Sequence, residues 1–137
     1  MKILVIDDDS AMTDLLEILL EPISVEVITA NSGLDGITKA KGFNPDIVIL
    51  DLMMPDVDGW QICKEIRQFN SVPILILSAL DSPGLIAEAL NAGADDYIIK
   101  PVTKNMLVAR VNRLAFRNQT SQKTPTKRLV LSNKGGK

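Results

Sequence analysis

Short apolar runs alternate along the chain with longer segments in which apolar residues recur every three or four positions. The short runs are rich in β-branched and aliphatic residues and predict buried strands, whereas the periodic segments predict amphipathic helices. Polar or glycine-containing stretches separate most of these segments, as is typical of turns. The pattern predicts five strands, at residues 2–6, 25–30, 46–50, 72–77 and 96–99.

A helix is predicted after each strand, and particular residues indicate where several of these helices begin and end. Ser32 fits the first position of a capping box, and Gly42 is expected to end that second helix. Ser82 and Thr103 are the predicted caps of the fourth and fifth helices, the last of which is expected to run to about Arg117. The predicted apolar faces contain Met12, Leu15, Leu16, Leu19 and Leu20 in the first helix, Leu34, Ile37 and Ala40 in the second, Ile62, Cys63, Ile66 and Phe69 in the third, and Leu85, Ile86, Ala89 and Leu90 in the fourth.

The regular alternation of strands and helices predicts a single α/β domain. The third strand is almost continuously apolar, as expected for a parallel sheet with helices on both faces. Right-handed crossovers favour the strand order 2-1-3-4-5, which is that of a flavodoxin-like (βα)5 open parallel sheet. We place this domain at residues 1–117 and interpret residues 118–137 as a polar, basic tail or linker.

The composition is that of an ordinary soluble domain, with 46% hydrophobic and 23% charged residues. Cys63 is the only cysteine and lies in an apolar helical pattern, which indicates a buried hydrophobe and not a reactive thiol. Nothing near the N-terminus resembles a secretory signal, and no apolar run approaches the roughly 20 residues that a membrane span needs. We therefore expect a cytoplasmic protein that does not contact a membrane.

The net charge of −2 is unevenly distributed over the 137 residues. Residues 118–137 contain five basic residues and no acidic ones, which leaves ten basic and seventeen acidic residues in the predicted domain. An acidic domain argues against direct nucleic-acid binding by that domain. The basic tail is open to two interpretations, a solvated linker or a contact with nucleic acid.

Acidic, hydroxyl and amine side chains stand where the predicted strands end. Asp7 and Asp8 follow the first strand, Asp51 follows the third, Ser78 follows the fourth and Lys100 follows the fifth. The carboxyl ends of parallel strands lie at one edge of an open sheet, and ligands bind there beside the first and third strands. The sequence therefore predicts that these five side chains form one site.

Three clustered carboxylates repel one another unless protons or a cation neutralise them. Mg²⁺ fits such a site because it takes one or two carboxylates, retains water and binds phosphate oxygens. The chain has no histidine and one cysteine, so a zinc or copper centre is disfavoured. A lysine beside the metal suits the negative charge of a phosphoryl group, and the Ser78 hydroxyl can donate to one of its oxygens.

Six short motifs occur in order along the first 117 residues. They are Asp7-Asp8, the apolar run with its aspartate and proline at residues 47–55, Asp58-Gly59, Ser78-Ala79, the Gly-Ala-Asp-Asp-Tyr sequence at residues 93–97, and Lys100-Pro101. Each motif alone is weak evidence, whereas the ordered set is specific. Together they resemble the receiver domain of two-component response regulators, and within that family its transcription-factor branch.

This resemblance implies that Asp51 is a phosphoacceptor, which receives its phosphoryl group from a phosphohistidine of a sensor histidine kinase or from a phosphotransfer protein. It implies that Asp8 binds Mg²⁺ directly, Asp7 largely through water, and that Mn²⁺ can substitute for Mg²⁺. Asp51 and the backbone carbonyl of Met53 would complete the protein ligands. The other implied roles are phosphate binding by Ser78, Ala79 and Lys100, a switch pair of Ser78 and Tyr97, and a cis peptide bond at Pro101.

In the transcription-factor branch, activated receivers pair through the fourth helix, fifth strand and fifth helix. The resemblance therefore implies that phosphorylation changes this face and yields a homodimer that controls a partner or an output domain. Two of the family's intermolecular ion pairs match Asp96 with Arg110 and Asp95 with Arg117. The third falls on two apolar residues, Ile86 and Met106, which either replace it by hydrophobic contact or lie on the core faces of their helices.

Three alternatives compete with this interpretation. An EF-hand calcium loop would use Asp56 and Asp58, but its first position is Met54, which offers no ligand oxygen, and the loop follows a strand. A phosphatase with an aspartyl-phosphate intermediate would need an acid two residues after Asp51, where Met53 stands. A pseudo-receiver used only for interaction is disfavoured because every site position is chemically competent. We therefore expect a phosphoacceptor and not an enzyme, with or without an output domain beyond residue 137.

Overall fold

The computed structural model describes residues 1–23 and 26–123 of the chain. Its strands are β1 (Lys2–Ile6), β2 (Glu26–Ala30), β3 (Ile47–Leu50), β4 (Ile74–Ser78) and β5 (Asp96–Ile99). They form one parallel sheet in the order β2-β1-β3-β4-β5, which confirms the predicted fold class. Val25, the predicted start of the second strand, and residues 124–137 of the predicted tail lie outside the described residues.

Five helices cover the two faces of this sheet. They are α1 (Ser10–Leu20), α2 (Gly33–Phe43), α3 (Gly59–Phe69), α4 (Pro83–Asn91) and α5 (Lys104–Lys123). Apolar residues of α2, α3 and α4 pack in one core cluster, and those of α1 and α5 pack in a second. Over the described residues, none of these helices is both long enough and apolar enough to cross a membrane.

The two core clusters follow from the alternation of side chains along a strand. Leu4 and Ile6 of β1 belong to the cluster of α2, α3 and α4, whereas Ile3 and Val5 belong to the cluster of α1 and α5. All residues of β3 and β4 are buried, because helices lie on both sides of them. Ile6 pairs with Leu50 in the parallel register, so the residues that follow β1 and β3 emerge side by side at one edge.

Two strands begin later than predicted. The third starts at Ile47 instead of residue 46, where the Asp46 carboxylate accepts a hydrogen bond from the backbone N–H of Lys2 at 2.8 Å. The fourth is Ile74–Ser78 instead of residues 72–77. Pro73 has no backbone N–H to donate to a neighbouring strand, which explains why the regular pairing starts after it.

The second helix does not end at Gly42 as predicted. It continues to Phe43 and ends where Asn44 adopts a left-handed conformation with φ 53°. The buried residues of this helix are Gly33, Gly36 and Ala40. The helix backbone lies so close to β1 that a side chain at Gly36 would collide with Ile6. The helix therefore lies close to the sheet on small residues, and Leu34, predicted for its apolar face, is 64% exposed.

Other helix predictions are also corrected. Ser82 precedes α4, but its side chain forms no capping hydrogen bond. Thr103 does cap α5, since its Oγ1 accepts from Met106 N at 3.2 Å, yet this helix continues past Arg117 to Lys123. A helix on a sheet buries only a narrow stripe, so some apolar neighbours of buried residues face solvent. The predicted core residues that are exposed are Leu15, Leu34, Phe69 and Leu90.

Cys63 lies in the core between α3 and the sheet, as predicted. It is fully buried and forms no disulfide. Burial raises the pKa of its thiol to about 11, which keeps it protonated near neutral pH. The prediction of a small buried hydrophobe in place of a reactive thiol is confirmed.

Candidate functional site

Three carboxylates meet at the carboxyl edge of the sheet. Asp7 and Asp8 follow β1, and Asp51 follows β3. Each offers an oxygen atom within 4.8 Å of the others. Asp7 and Asp51 are buried, whereas Asp8 is exposed, so the cluster has a closed side and an open one.

Asp7 lies at the buried side of the cluster. Burial raises its pKa above the usual range, because a charged carboxylate loses solvation there. The backbone N–H of Asp9 donates to Asp7 Oδ1 at 3.0 Å, and the Lys100 ammonium lies 3.1 Å from Asp7 Oδ2. Both contacts lower the pKa and offset part of the burial effect. A cation beside Asp7 would reduce the same cost further.

Lys100 connects the two buried carboxylates. Its Nζ lies 3.1 Å from Asp7 Oδ2 and 3.6 Å from Asp51 Oδ2. The lysine follows β5, its backbone N–H donates to the Ser78 carbonyl at 2.8 Å, and its peptide bond to Pro101 is cis. One ammonium thus faces two buried carboxylates, while the third carboxylate, Asp8, lies beside them at the open side.

Asp51 is held by the backbone on both sides of it. Its N–H donates to the Ile6 carbonyl at 3.0 Å, and its Oδ1 accepts from the backbone N–H of Met53 at 3.3 Å. The Met53 side chain is exposed, so the position contributes to the site through its backbone. The backbone of Gly59 lies close to Asp51 and Leu52. A Cβ at Gly59 would stand 2.5 Å from Leu52 Cα and 2.9 Å from the Asp51 carbonyl oxygen.

The donor set fits a hard divalent cation of the Mg²⁺ type. All three clustered side chains offer carboxylate oxygens, the ligands that Mg²⁺ prefers. One lysine cannot balance three carboxylates, so the cluster retains a negative charge that a divalent cation would neutralise. The exposure of Asp8 leaves room for the water molecules that Mg²⁺ keeps.

The predicted phosphate-binding and switch residues lie along the end of β4 and on β5. Ser78 is fully buried and its Oγ accepts from Leu80 N at 3.4 Å, whereas Ala79 is exposed. The Tyr97 hydroxyl donates to the Leu80 carbonyl at 2.8 Å. Burial raises the pKa of Tyr97. Ser78 and Tyr97 thus contact the same residue from two neighbouring strands.

The charged residues of the predicted dimer face form ion pairs within the chain. Asp96 lies 3.0 Å from Arg110 and 2.7 Å from Arg113. Asp95 lies 2.7 Å from Arg67 and 3.5 Å from Arg117. The two apolar residues of this face differ in exposure, since Ile86 is partly buried and Met106 is 43% exposed.

The loop after Asp51 does not have the arrangement of an EF-hand. The Asp58 carboxylate caps α3 by accepting from Gln61 N at 2.8 Å, so Asp58 shapes the turn into this helix. Both Asp56 oxygens accept from the backbone N–H of Gly33, at 3.1 and 3.0 Å. These bonds lower the pKa of Asp56 and occupy the carboxylate that a calcium loop would need.

Two contacts near the site were not predicted from the sequence. One joins Asp56 to α2, and the other joins Asn31 to the end of β1. Asn31 Nδ2 donates to the Asp7 carbonyl at 2.8 Å and lies 3.4 Å from Thr13 Oγ1. The Asp7 carbonyl is 24 positions from Asn31, and Gly33 is 23 positions from Asp56. No local spacing rule therefore pointed to either contact.

Comparisons with known proteins agree with this geometry. The family model described as "Response regulator receiver domain" matches residues 3–112. The probable transcriptional regulator ycf27 of Cyanophora paradoxa is 39% identical over 118 residues, covering 86% of this chain and 49% of that protein. The alkaline phosphatase synthesis transcriptional regulatory protein PhoP of Bacillus subtilis is 40% identical over 119 residues, covering 86% and 50%. The chain thus spans about half the length of these curated relatives.

A solved structure supports the same assignment of the fold. A two-component response regulator from Clostridium difficile superposes with a TM-score of 0.81 at 34% sequence identity. The match covers 85% of this chain and 96% of that one. The likeness therefore extends over nearly the whole solved chain.

Proposed function

The chain belongs to the response regulator receiver domain family, and from this membership and the geometry of the sheet edge we propose that Asp51 accepts a phosphoryl group in a Mg²⁺-dependent reaction. The donor is a phosphohistidine of a sensor histidine kinase or phosphotransfer protein. The observation that carries the proposal is the Lys100 ammonium between the buried carboxylates of Asp7 and Asp51, with the exposed Asp8 beside them.

The transfer needs a nucleophile and a means of balancing charge. A carboxylate oxygen of Asp51 forms a bond to phosphorus while the bond from phosphorus to the donor's imidazole nitrogen breaks, and that electron pair leaves with the imidazole. Lys100 exchanges its contact with Asp51 for one with a phosphoryl oxygen. Its second contact, at 3.1 Å from Asp7, keeps the ammonium in place during this exchange.

The ligands for the cation are Asp8 directly, Asp7 largely through water, Asp51 and the backbone carbonyl of Met53. When bound, Mg²⁺ or Mn²⁺ neutralises charge that develops on the phosphoryl oxygens. The Ser78 hydroxyl and the backbone N–H of Ala79 donate to the same oxygens. The chain performs this transfer and the slow loss of its own phosphoryl group, and it turns over no other substrate.

The consequence of phosphorylation is a change of the face formed by α4, β5 and α5. Ser78 moves toward the phosphoryl group, and the Tyr97 ring fills the space that the hydroxyl leaves. Both side chains already contact Leu80, which lies at the start of the connection from β4 to α4. The changed face binds a second copy or an output domain that controls transcription in the cytoplasm, and the receiver itself binds neither nucleic acid nor membrane.

Incorporation of a phosphoryl group tests this function. The full chain is incubated with acetyl phosphate and Mg²⁺, and its intact mass is measured. We expect one phosphoryl addition to the wild type, loss of this addition with a chelator, and none in Asp51→Asn. Equal addition to Asp51→Asn, or addition that does not depend on a divalent cation, would show that the proposed chemistry is wrong.

A further inference from the structure

Residues 31–34, which comprise the connection from β2 and the first two residues of α2 and are called the β2–α2 turn below, contact both loops that carry the acidic cluster. On one side, Asn31 Nδ2 donates to the Asp7 carbonyl at 2.8 Å. On the other side, the backbone N–H groups of Gly33 and Leu34 donate to the Asp56 carboxylate. Asp56 stands five residues after Asp51 on the loop that leads into α3. The turn thus links the end of β1 to the loop that follows β3.

The Asn31 contact is directional. The Thr13 hydroxyl is buried and donates to the Ser10 carbonyl at 3.0 Å, which leaves its oxygen as the acceptor for Asn31 Nδ2 at 3.4 Å. The other proton of the same Nδ2 is directed to the Asp7 carbonyl. Asn31 therefore fixes the backbone from which the Asp7 carboxylate projects, and it does so without contacting that carboxylate.

The Asp56 contact is equally specific. Its carboxylate receives both Gly33 and Leu34 N–H groups, the free donors at the start of α2, at distances of 3.0 to 3.3 Å. The loop also packs closely here, because a Cβ at Gly33 would stand 3.2 Å from Val57 Cβ. A charge-assisted bond to a helix N-terminus thus anchors the loop that begins at Asp51.

Mutual repulsion among the three carboxylates tends to separate the two loops that carry them, and Lys100 and the Asp51 N–H bond to the Ile6 carbonyl oppose this at the strand ends. We propose that the β2–α2 turn adds a second link between these loops, and that Asn31 and Asp56 are positioning residues that set the affinity for the divalent cation. This inference rests on the proposed function only in taking the acidic cluster as a Mg²⁺ site. The turn holds the ligands at their binding separation before the cation arrives, so less of the binding free energy is spent on bringing them together.

The test compares Mg²⁺ affinities, obtained from the rise in Tm of the full chain with Mg²⁺ concentration. We expect Asp56→Ala and Asn31→Ala each to weaken Mg²⁺ binding by about tenfold, the lower end for groups that orient metal ligands. Two matched controls separate positioning from other effects. Lys39→Ala removes the contact of the same helix with the Thr29 carbonyl without touching either loop, and Asp35→Asn removes a nearby negative charge.

The controls should lower the Tm or alter the net charge while keeping Mg²⁺ affinity within about twofold of the wild type, since neither touches a metal ligand or its supporting loop. Asp56→Ala with unchanged affinity would overturn the inference, and so would an equal loss in Lys39→Ala, which would mean that the affinity follows the stability of α2 and not the contact with Asp56. If the wild type and both variants bind Mg²⁺ equally well, the inference is wrong but the proposed function is unaffected. A wild type whose Tm does not respond to Mg²⁺ contradicts the proposed function itself.

Discussion

Asp7 and Asp8 are neighbours in sequence but differ in what surrounds them. Asp7 is buried, with Lys100 and the Asp9 N–H beside its oxygens, whereas Asp8 is exposed at the open side of the cluster. Removing the Asp7 carboxylate would also leave Lys100 with one partner fewer. Asp8 is therefore the position at which the like-charge repulsion of the cluster can be reduced with the least disturbance of other contacts.

We expect Asp8→Asn to melt about 2 to 4 °C higher than the wild type without metal, because it relieves repulsion worth roughly 0.5 to 1 kcal/mol. With saturating Mg²⁺ its Tm should rise less than that of the wild type, because it has lost one of the proposed ligands. Asp9→Ala is the matched control: it removes the cap of α1 and should cost about 1 kcal/mol with the Mg²⁺ response intact. An Asp8→Asn variant that melts lower without metal would show that Asp8 is structural.

The strand-end residues of the site were predictable because a parallel sheet brings all carboxyl ends to one edge. Asp7, Asp8 and Asp51 could be placed together from their position after apolar runs alone. Asn31 and Asp56 could not, because each contacts a segment that is distant in sequence and polar residues in loops have many local uses. Such contacts depend on loop geometry, which no periodicity encodes.

At the scale of elements, the start of α3 is held close to the loop that follows Asp51. The Gly59 N–H donates to the Leu52 carbonyl at 3.0 Å, and a Cβ at Gly59 would collide with the backbone of this loop. Gly42, near the end of α2, has no heavy atom within 4 Å of the place where its Cβ would stand. A glycine-to-alanine substitution therefore meets crowded backbone at Gly59 and open space at Gly42.

We expect Gly59→Ala to destabilise the protein by roughly 1 to 3 kcal/mol, because the loop after Asp51 or the helix must move. Gly42→Ala should stabilise it by about 0.5 to 1 kcal/mol, because alanine favours a helix more than glycine does. Urea denaturation of both variants measures the difference. Equal effects of the two substitutions would mean that the close approach at Gly59 is not a constraint.

The kind and order of the elements were predictable, but several of their ends were not. Strand and helix periods identified all ten elements, and the alternation gave the parallel sheet. The end of α2 was misplaced because Asn44 takes the left-handed conformation in the place expected of Gly42. The face of α2 was misjudged because small residues allow it to approach the sheet, which leaves Leu34 in solvent.

At the scale of the whole molecule, the ion pairs of the predicted dimer face are already formed within one chain. Arg110 contacts Asp96, and Arg117 contacts Asp95, so pairing with a second copy would exchange these contacts for equivalent ones. An exposed ion pair contributes at most about 1 kcal/mol, whereas burial of an apolar side chain contributes roughly 1 to 3 kcal/mol. The exposed Met106 should therefore contribute more to a dimer than these charges do.

We expect beryllofluoride or phosphorylation to shift the chain toward a two-fold dimer that is less sensitive to salt than ion pairs alone would make it. Met106→Glu should weaken this dimer without reducing phosphorylation of Asp51, and so should Arg110→Glu, although the latter also breaks an intrachain pair. Phe116→Glu is the control, because Phe116 is 70% exposed on the same helix but lines a separate groove with Met1. Sedimentation velocity distinguishes the outcomes: an activated wild type that stays monomeric at high concentration would exclude the dimer.

The central claim is that Asp51, among three clustered carboxylates, is the one that carries the phosphoryl group. Borohydride reduces an acyl phosphate to an alcohol, so the phosphorylated aspartate becomes homoserine, and peptide mass spectrometry locates it. After treatment with acetyl phosphate and Mg²⁺, we expect homoserine at position 51 and at neither position 7 nor position 8. Homoserine at position 7 or 8, or at no position in a protein that has gained a phosphoryl group, would contradict the claim.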